Sequence, residues 1–198
     1  MLKNAIFDFG GVVYAYNTDD ITRAFFPNES ERAQVKPTLY RDWQSLDEGA
    51  IDYWSYAEET VQRVPESLRE ATRHFFRDWL HVAPPKPEIW ALIAELKARG
   101  VRVYLLSNAP TYFAERIGDY PILKLMDGIV VSGTIQKFKP NADIFQYTLE
   151  KFGLNANESI FFDDNSPNVE AAEKCGLHGF TYHGEIEALR AKIESLMK

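Results

Sequence analysis

The stretch AIFDFGGVVY, residues 5–14, runs apolar up to an acidic residue, Asp8, and then meets two glycines, Gly10 and Gly11. A carboxylate at the tip of an apolar strand, followed by backbone of unusual freedom, suits chemistry better than core filling. Three later segments carry polar residues at comparable points. VRVYLLSN ends in Ser107 and Asn108, QKFKP carries Lys137 and Lys139, and SIFFDDN ends in Asp163 and Asp164. Singly, each has a plain explanation: a turn former, a helix cap, a solvated lysine, a turn with Asx hydrogen bonds. Together they supply the parts of a phosphoryl-transfer site, which needs an in-line nucleophile and positive charge around the transferring group. Asp8 can be that nucleophile, giving an aspartyl-phosphate. Asp8 with one of Asp163 or Asp164 can hold Mg²⁺, a cation usually bound through one or two carboxylates. Lys139 would offset the crowding of negative charge. Ser107 and the backbone N–H groups after Asp8, those of Phe9 and Gly10, would hold phosphate oxygens.

These residues need elements that bring them together. Residues 3–8, 101–107, 127–131, 159–163 and 179–182 are short, apolar and rich in β-branched or aromatic residues, the pattern of strands covered on both faces. Helices are expected between them. PEIWALIAELKARG (87–100) puts Ile89, Leu92, Ile93 and Leu96 on one face, with Pro87 in the first turn and Gly100 at the end. Residues 141–153 open on Asn141 as N-cap and close at Gly153; residues 166–176 open on Ser166 as N-cap and close at Gly176. Alternating strands and helices predict a parallel α/β sheet of Rossmann-like type, whose ligands bind outside the carboxyl ends of the strands. Residues 17–85 break the rhythm. They hold no clear strand, show aromatic residues at helical spacing and are punctuated by Pro27, Pro37 and Pro65. They read as a helical insertion with a second small core of its own.

Bulk properties bound the partners. A 198-residue chain, 45% hydrophobic, suits one core domain with a modest insertion. A net charge of −7 argues against nucleic acid and anionic membranes as partners, though not against a phosphorylated ligand. The one cysteine, Cys175, excludes an internal disulfide and any cysteine-rich metal site. No run approaches the length of a membrane span, and no export signal is recognised, so a cytoplasmic location is expected. The four histidines show no metal-ligand spacing; His74 reads as packing among aromatic residues and Cys175 as a small core residue.

The set FDFGGVV, LLSN, KFKPNADIF and FFDDNSPNVEAA resembles, in order and spacing, the four motifs of the haloacid dehalogenase-like hydrolase superfamily. The resemblance covers essentially the whole chain, and the helical insertion looks like that family's cap. It implies a core of residues 1–16 and 86–198 and a cap of residues 17–85. It is greatest for small helical-cap phosphatases, including those acting on sugar phosphates such as glucose 1-phosphate. The implied roles are Asp8 as nucleophile, and Asp8, the Gly10 carbonyl and Asp164 as Mg²⁺ ligands, with Asp163 a weaker or outer ligand. Ser107 and Asn108 would bind the phosphoryl group. Lys139, directly before proline, would neutralise Asp8 and the phosphate, with Lys137 a solvated neighbour. Tyr14, Tyr16, Arg41, Trp43 and Tyr53 are candidates to line the entrance, with core packing favoured for Trp43 and Tyr53.

One position departs from that pattern. Where most phosphatases of the family carry a second aspartate two residues after the nucleophile, this chain has Gly10. A positioned general acid–base contributes ~10²–10⁴-fold. Three readings stay open: a phosphatase whose proton comes from elsewhere or whose leaving group needs none, a weakly catalytic binding protein, and a metal-independent dehalogenase. The oligomeric state is not specified by the sequence.

Overall fold

The computed structural model describes all 198 residues. Five parallel strands, β1 (Asn4–Phe7), β2 (Arg102–Ser107), β3 (Gly128–Val131), β4 (Ser159–Asp163) and β5 (His178–Thr181), form one sheet in the order β3-β2-β1-β4-β5. The chain builds outward from β1 on one side and then returns to the other, so the strand order reverses beside β1. Crevices at such reversals are where open α/β sheets bind ligands.

The strands alternate with period two, yet both faces are buried. Ala5, Phe7, Val103, Leu105, Ile160 and Phe162 enter a large core on one face. Ile6, Tyr104, Leu106 and Phe161 enter a smaller core on the other. Double coverage explains why β1 and β4 read as continuous apolar runs. Register then does something specific. Phe7 lies opposite Leu105 on one side and Phe162 on the other. The next residue, Asp8, therefore stands level with Leu106 and Asp163, and its N–H still donates to the Phe162 carbonyl.

Helices α1 (Thr18–Phe25), α2 (Glu29–Leu39), α3 (Trp43–Asp47), α4 (Tyr53–Arg63) and α5 (Arg69–Asp78) make up the insertion, which contains no strand of the sheet. Asn17, Asn28 and Asp52 cap α1, α2 and α4 by accepting hydrogen bonds from first-turn N–H groups. Pro37 does not end a helix, as expected of a punctuating proline; it sits within the last turn of α2. The remaining helices are α6 (Pro87–Ala98), α7 (Thr111–Glu115), α8 (Ser132–Ile135), α9 (Ala142–Phe152), α10 (Ser166–Lys174) and α11 (Ile186–Met197). Asn165, not Ser166, is the N-cap of α10, because Asp163 accepts the Asn165 N–H and holds the chain extended one residue longer. Asn141 stands at the N-cap of α9 without using its side chain there. No helix is long and apolar enough to cross a membrane.

The insertion has no separate core. Tyr53, Phe75, Phe76 and Trp79 belong to the same cluster as Phe7, Phe9, Tyr112 and Tyr120. The Tyr53 and Tyr112 rings stack with centroids 4.6 Å apart, and the Tyr112 and Tyr120 hydroxyls donate to the carbonyls of Arg77 and Leu80 at 2.7 Å. A segment of this size buries too little on its own, and fusing its aromatic residues with the sheet core supplies the missing burial. His74 is correspondingly not packed inside: it is exposed, edge-on to Phe25 and beside Asp78.

The turn after α3 docks on α8 by backbone approach. Gly49 has φ +66°, and a Cβ there would lie 2.2 Å from the Gly133 carbonyl oxygen. Gly49→Ala must relieve both, and is expected to cost about 1–3 kcal/mol of stability, read as a lowered urea midpoint. An unchanged midpoint would mean that this turn is not docked in solution.

Candidate active site

Between the insertion and the carboxyl ends of the strands lies a cavity of about 290 Å³. Its floor is built from Asp8, Ser107, Asn108, Lys139, Asp163 and Asp164, so six of the sequence-selected residues converge. Phe9 and Gly10 join them through backbone. The Phe9 ring turns away, against Tyr14, Phe113 and Tyr120.

Lys139 organises the floor. Its ammonium donates to Asp8 Oδ1 at 2.8 Å, Asp163 Oδ2 at 2.7 Å and the Leu106 carbonyl at 3.1 Å. These are the three residues that strand register had already set level. Lys139 is 1% exposed. Burial alone would pull its ammonium down, but attraction from Asp8 and Asp163 wins and holds it above the ordinary lysine value. Asp8 shows the opposite balance. Burial raises its carboxyl, Lys139 lowers it, and Asp163 and Asp164 raise it again, leaving it at about 7. Asp164 is likewise raised, by burial and then by Asp163.

Asp163 has no free oxygen. Oδ2 accepts from Lys139 and from Asn168 Nδ2 at 3.0 Å, and Oδ1 accepts the Asn165 N–H at 2.8 Å. Asn108 is tied by both ends of its amide to the Lys139 backbone, at 2.8 and 2.9 Å. It therefore fixes Lys139 as well as lining the cavity. Lys137 lies outside, paired with Asp143.

The floor also offers unpaired backbone. The N–H groups of Phe9, Gly10 and Asn108 and the Gly10 carbonyl make no hydrogen bond within the chain. Three N–H groups around one hollow suit an anion such as phosphate. Oxygen atoms of Asp8, Asp163 and Asp164 lie within 4.8 Å of one another. The carboxylates of Asp8 and Asp164, both of raised proton affinity, form with the free Gly10 carbonyl an all-oxygen donor set that fits a hard divalent cation.

The two glycines divide their work unequally. Gly11 has φ +75°, and a Cβ there would strike the Asp164 carboxylate at 2.1 Å. Its bare backbone is what lets Asp164 reach Asp8, and Lys86 Nζ donates to its carbonyl. Gly10 has no positive φ; a Cβ on it would meet the Tyr16 side chain at 3.3 Å.

Of the entrance candidates, Tyr16 and Trp43 line the cavity. For Trp43 that corrects the expectation of core packing alone: it stacks on Phe76 yet still presents an edge to the hollow. Tyr53 is buried, donating to the Phe76 carbonyl and accepting from Trp79 Nε1. Tyr14 is buried against Phe9 and Trp90, and Arg41 is exposed beside Asp42. Three residues escaped sequence reasoning. Asn168 sits in the first turn of α10, five residues after Asp163, a spacing that could have been noticed. Lys86 and Asp47 arrive from distant segments and carry no local signal.

A family model described as haloacid dehalogenase-like hydrolase matches residues 2–176. A sesquiterpene phosphatase of Aspergillus oryzae is 29% identical over 181 residues, covering 89% of this chain and 88% of its own. A D-ribitol-5-phosphate phosphatase of Bacteroides thetaiotaomicron is 23% identical over 194 residues, covering 91% of each chain. A crystal structure of an enzyme of that family from Bacteroides thetaiotaomicron, in complex with magnesium and inorganic phosphate, shares the fold with a TM-score of 0.70 at 21% identity, covering 93% of this chain and 96% of its own.

Removing the Lys139 charge leaves Asp8 and Asp163 as buried like charges. Lys139→Met is expected to cost about 3–5 kcal/mol in urea unfolding. The sign with pH follows from linkage: carboxyls with raised proton affinity bind more protons folded than unfolded, so stability falls as pH rises toward and past 7. The loss should be greater at pH 8 than at pH 5; the reverse order would contradict the assigned pairing.

Proposed function

The chain belongs to the haloacid dehalogenase-like hydrolases, and from that premise we propose that it is a Mg²⁺-dependent phosphatase of small phosphorylated metabolites, working through an aspartyl-phosphate on Asp8. The observation that carries this reading is the Lys139 ammonium bridging Asp8 and Asp163 at the floor of the hollow. It occupies Asp8 Oδ1 and leaves the other carboxylate oxygen to face the cavity, where the nucleophile is needed.

In this reading the substrate's phosphoryl oxygens take the N–H groups of Phe9, Gly10 and Asn108 and the Ser107 hydroxyl. Fixed donors aimed at developing charge stabilise a transition state without reorganising. Asp8 attacks phosphorus, the bond to the leaving oxygen breaks, and the phosphoryl group resides on Asp8. Water then attacks phosphorus, the Asp8–phosphorus bond breaks, and inorganic phosphate is released. Lys139 favours the anionic form of Asp8 against its burial and keeps it aimed. Asp163, saturated by Lys139, Asn168 and Asn165, holds that lysine, a positioning task rather than a contact with substrate. Mg²⁺ would be held by Asp8, Asp164 and the Gly10 carbonyl, with Asp163 beside them. It would neutralise phosphate charge and hold the ester in line. The Asp164 carboxylate, unpaired beside Asp163, weighs against metal-free dehalogenation, for which it would only be a repulsive burden.

A hollow of about 290 Å³, roofed by Trp43, Trp79 and Leu80, supports a small ester with an apolar or mixed organic part. Phosphate release from a panel including a sugar 1-phosphate, a polyol phosphate and a prenyl phosphate, with and without Mg²⁺, tests the reading. Release should require Mg²⁺ and fall by at least about 10³-fold in Asp8→Asn, as for loss of a covalent nucleophile. A folded, Mg²⁺-binding protein that releases phosphate from nothing in the panel would point to a binding role instead.

A further inference from the structure

The phosphatase reading leaves one chemical task without a residue. An alcohol leaving group needs a proton as its bond to phosphorus breaks, and Gly10 offers none. A Cβ on Gly10 would stand 3.3 Å from the Tyr16 side chain, so Tyr16 borders the space a side chain there would take.

Four carboxyl groups line the cavity: Asp8, Asp163 and Asp164 on the floor, and Asp47 on the insertion. The first three are committed to Lys139 and to one another. No histidine or cysteine lines the cavity. Asp47 differs from all of them. It ends α3, its Oδ1 is buried, and that oxygen has no hydrogen-bond partner in the chain. An unpartnered buried carboxyl oxygen is costly to maintain, and a group of this kind calls for an explanation by ligand or by function. Its backbone, by contrast, is firmly held. The Ser132 hydroxyl donates to the Asp47 carbonyl and accepts the Ala109 N–H, so one side chain ties Asp47 to the loop that carries Ser107 and Asn108. Gly49, two residues on, allows the close approach to Gly133 that seats this turn.

We infer that Asp47, delivered from the helical insertion, is the proton donor and acceptor of the reaction, taking the part that Gly10 cannot play. In the first half, Asp8 bonds to phosphorus, the bond from phosphorus to the alcohol oxygen breaks, and the Asp47 proton passes to that oxygen. In the second half, water bonds to phosphorus, its proton returns to the Asp47 carboxylate, and the Asp8–phosphorus bond breaks. Each cycle restores both aspartates.

The surroundings of Asp47 suit this work. Burial first, then the negative charges of Asp8 and Glu48, push its carboxyl up to about 8, while Lys139 opposes them weakly. A group in that range holds its proton near neutrality and can give it up. Tyr16, which faces Asp47 from the loop after β1, is a poorer candidate: burial drives its phenol well above its ordinary value.

This inference rests on the phosphatase reading, and the experiment separates the two. The kcat/KM for 4-nitrophenyl phosphate and for n-butyl phosphate is measured with Mg²⁺ for the wild type, Asp47→Asn and Glu48→Gln. This parameter reports steps up to departure of the leaving group, where nitrophenolate needs little protonation and butoxide needs it fully. For Asp47→Asn, the alkyl ester should lose about 10²–10⁴-fold and the aryl ester far less. The alkaline fall of the wild-type alkyl profile should disappear with it. Glu48→Gln, which removes one of the charges raising Asp47, should show no such split between the esters but should move that alkaline fall to lower pH. Equal losses on both esters, or none, would overturn the inference and leave the phosphatase intact. So would a wild type that cleaves the aryl ester alone. Failure of the wild type on both would remove the phosphatase reading, and the inference with it.

Discussion

One ammonium group holds the site together. Lys139, buried between the ends of β1, β2 and β4, satisfies Asp8, the Leu106 carbonyl and Asp163 at once. Three donors and three acceptors meet with no proton left over, which is the condition under which a buried charge is tolerable. The rest follows from that constraint. The strands must be in a register that sets Asp8, Leu106 and Asp163 level. Asn108 must clamp the Lys139 backbone from β2. Asn168 and the Asn165 N–H must use up the remaining valence of Asp163. The lysine is thus a structural strut and an electrostatic device in one, because the same attraction that seats it also orients Asp8.

The insertion is not an independent lid resting on this floor. Its aromatic residues share one core with the sheet, and Tyr112, Tyr120 and Ser132 bind its backbone from below. Such fusion has a chemical consequence. A roof continuous with the floor's packing can hold a functional group in a set position over it, as it holds Asp47. Trp43, Trp79, Leu80 and Phe113 also line the hollow, and less polar surroundings strengthen the charge–dipole contacts inside it. The family phosphatases similar to this chain act on substrates as unlike as a sesquiterpene and a ribitol phosphate by their names.

Sequence reasoning went furthest where function is local. Asp8, Ser107, Asp163 and Asp164 each end or directly follow a strand, and the apolar runs before them announce those strands by length and residue type; Lys139 comes after β3 with α8 between them. Their order along the chain also made the parallel sheet legible, and a parallel sheet gathers strand ends by construction. Reasoning was less successful where a role depends on partners far along the chain. Asn108 lines the cavity as its position suggests, but that its side-chain amide also clamps Lys139, 31 residues away, has no local signal. The twin glycines look alike in the string; only Gly11 faces Asp164 closely enough to exclude a side chain. The insertion looked like a second core because helical spacing reveals that a face is apolar, not what covers it.

The order of residues was thus enough to specify the sheet, the helical insertion, the acidic and basic chemistry of the floor and the gap at Gly10. Short-range propensity and the two-residue alternation of strands encode these things directly. The fold in three dimensions alone settled which lysine contact makes the charge bearable, which glycine is obligatory, and which carboxyl of the insertion lines the cavity. Those outcomes depend on register and on docking between segments separated by tens of residues, and the energies that select them arise from burial and pairing, which no local pattern records.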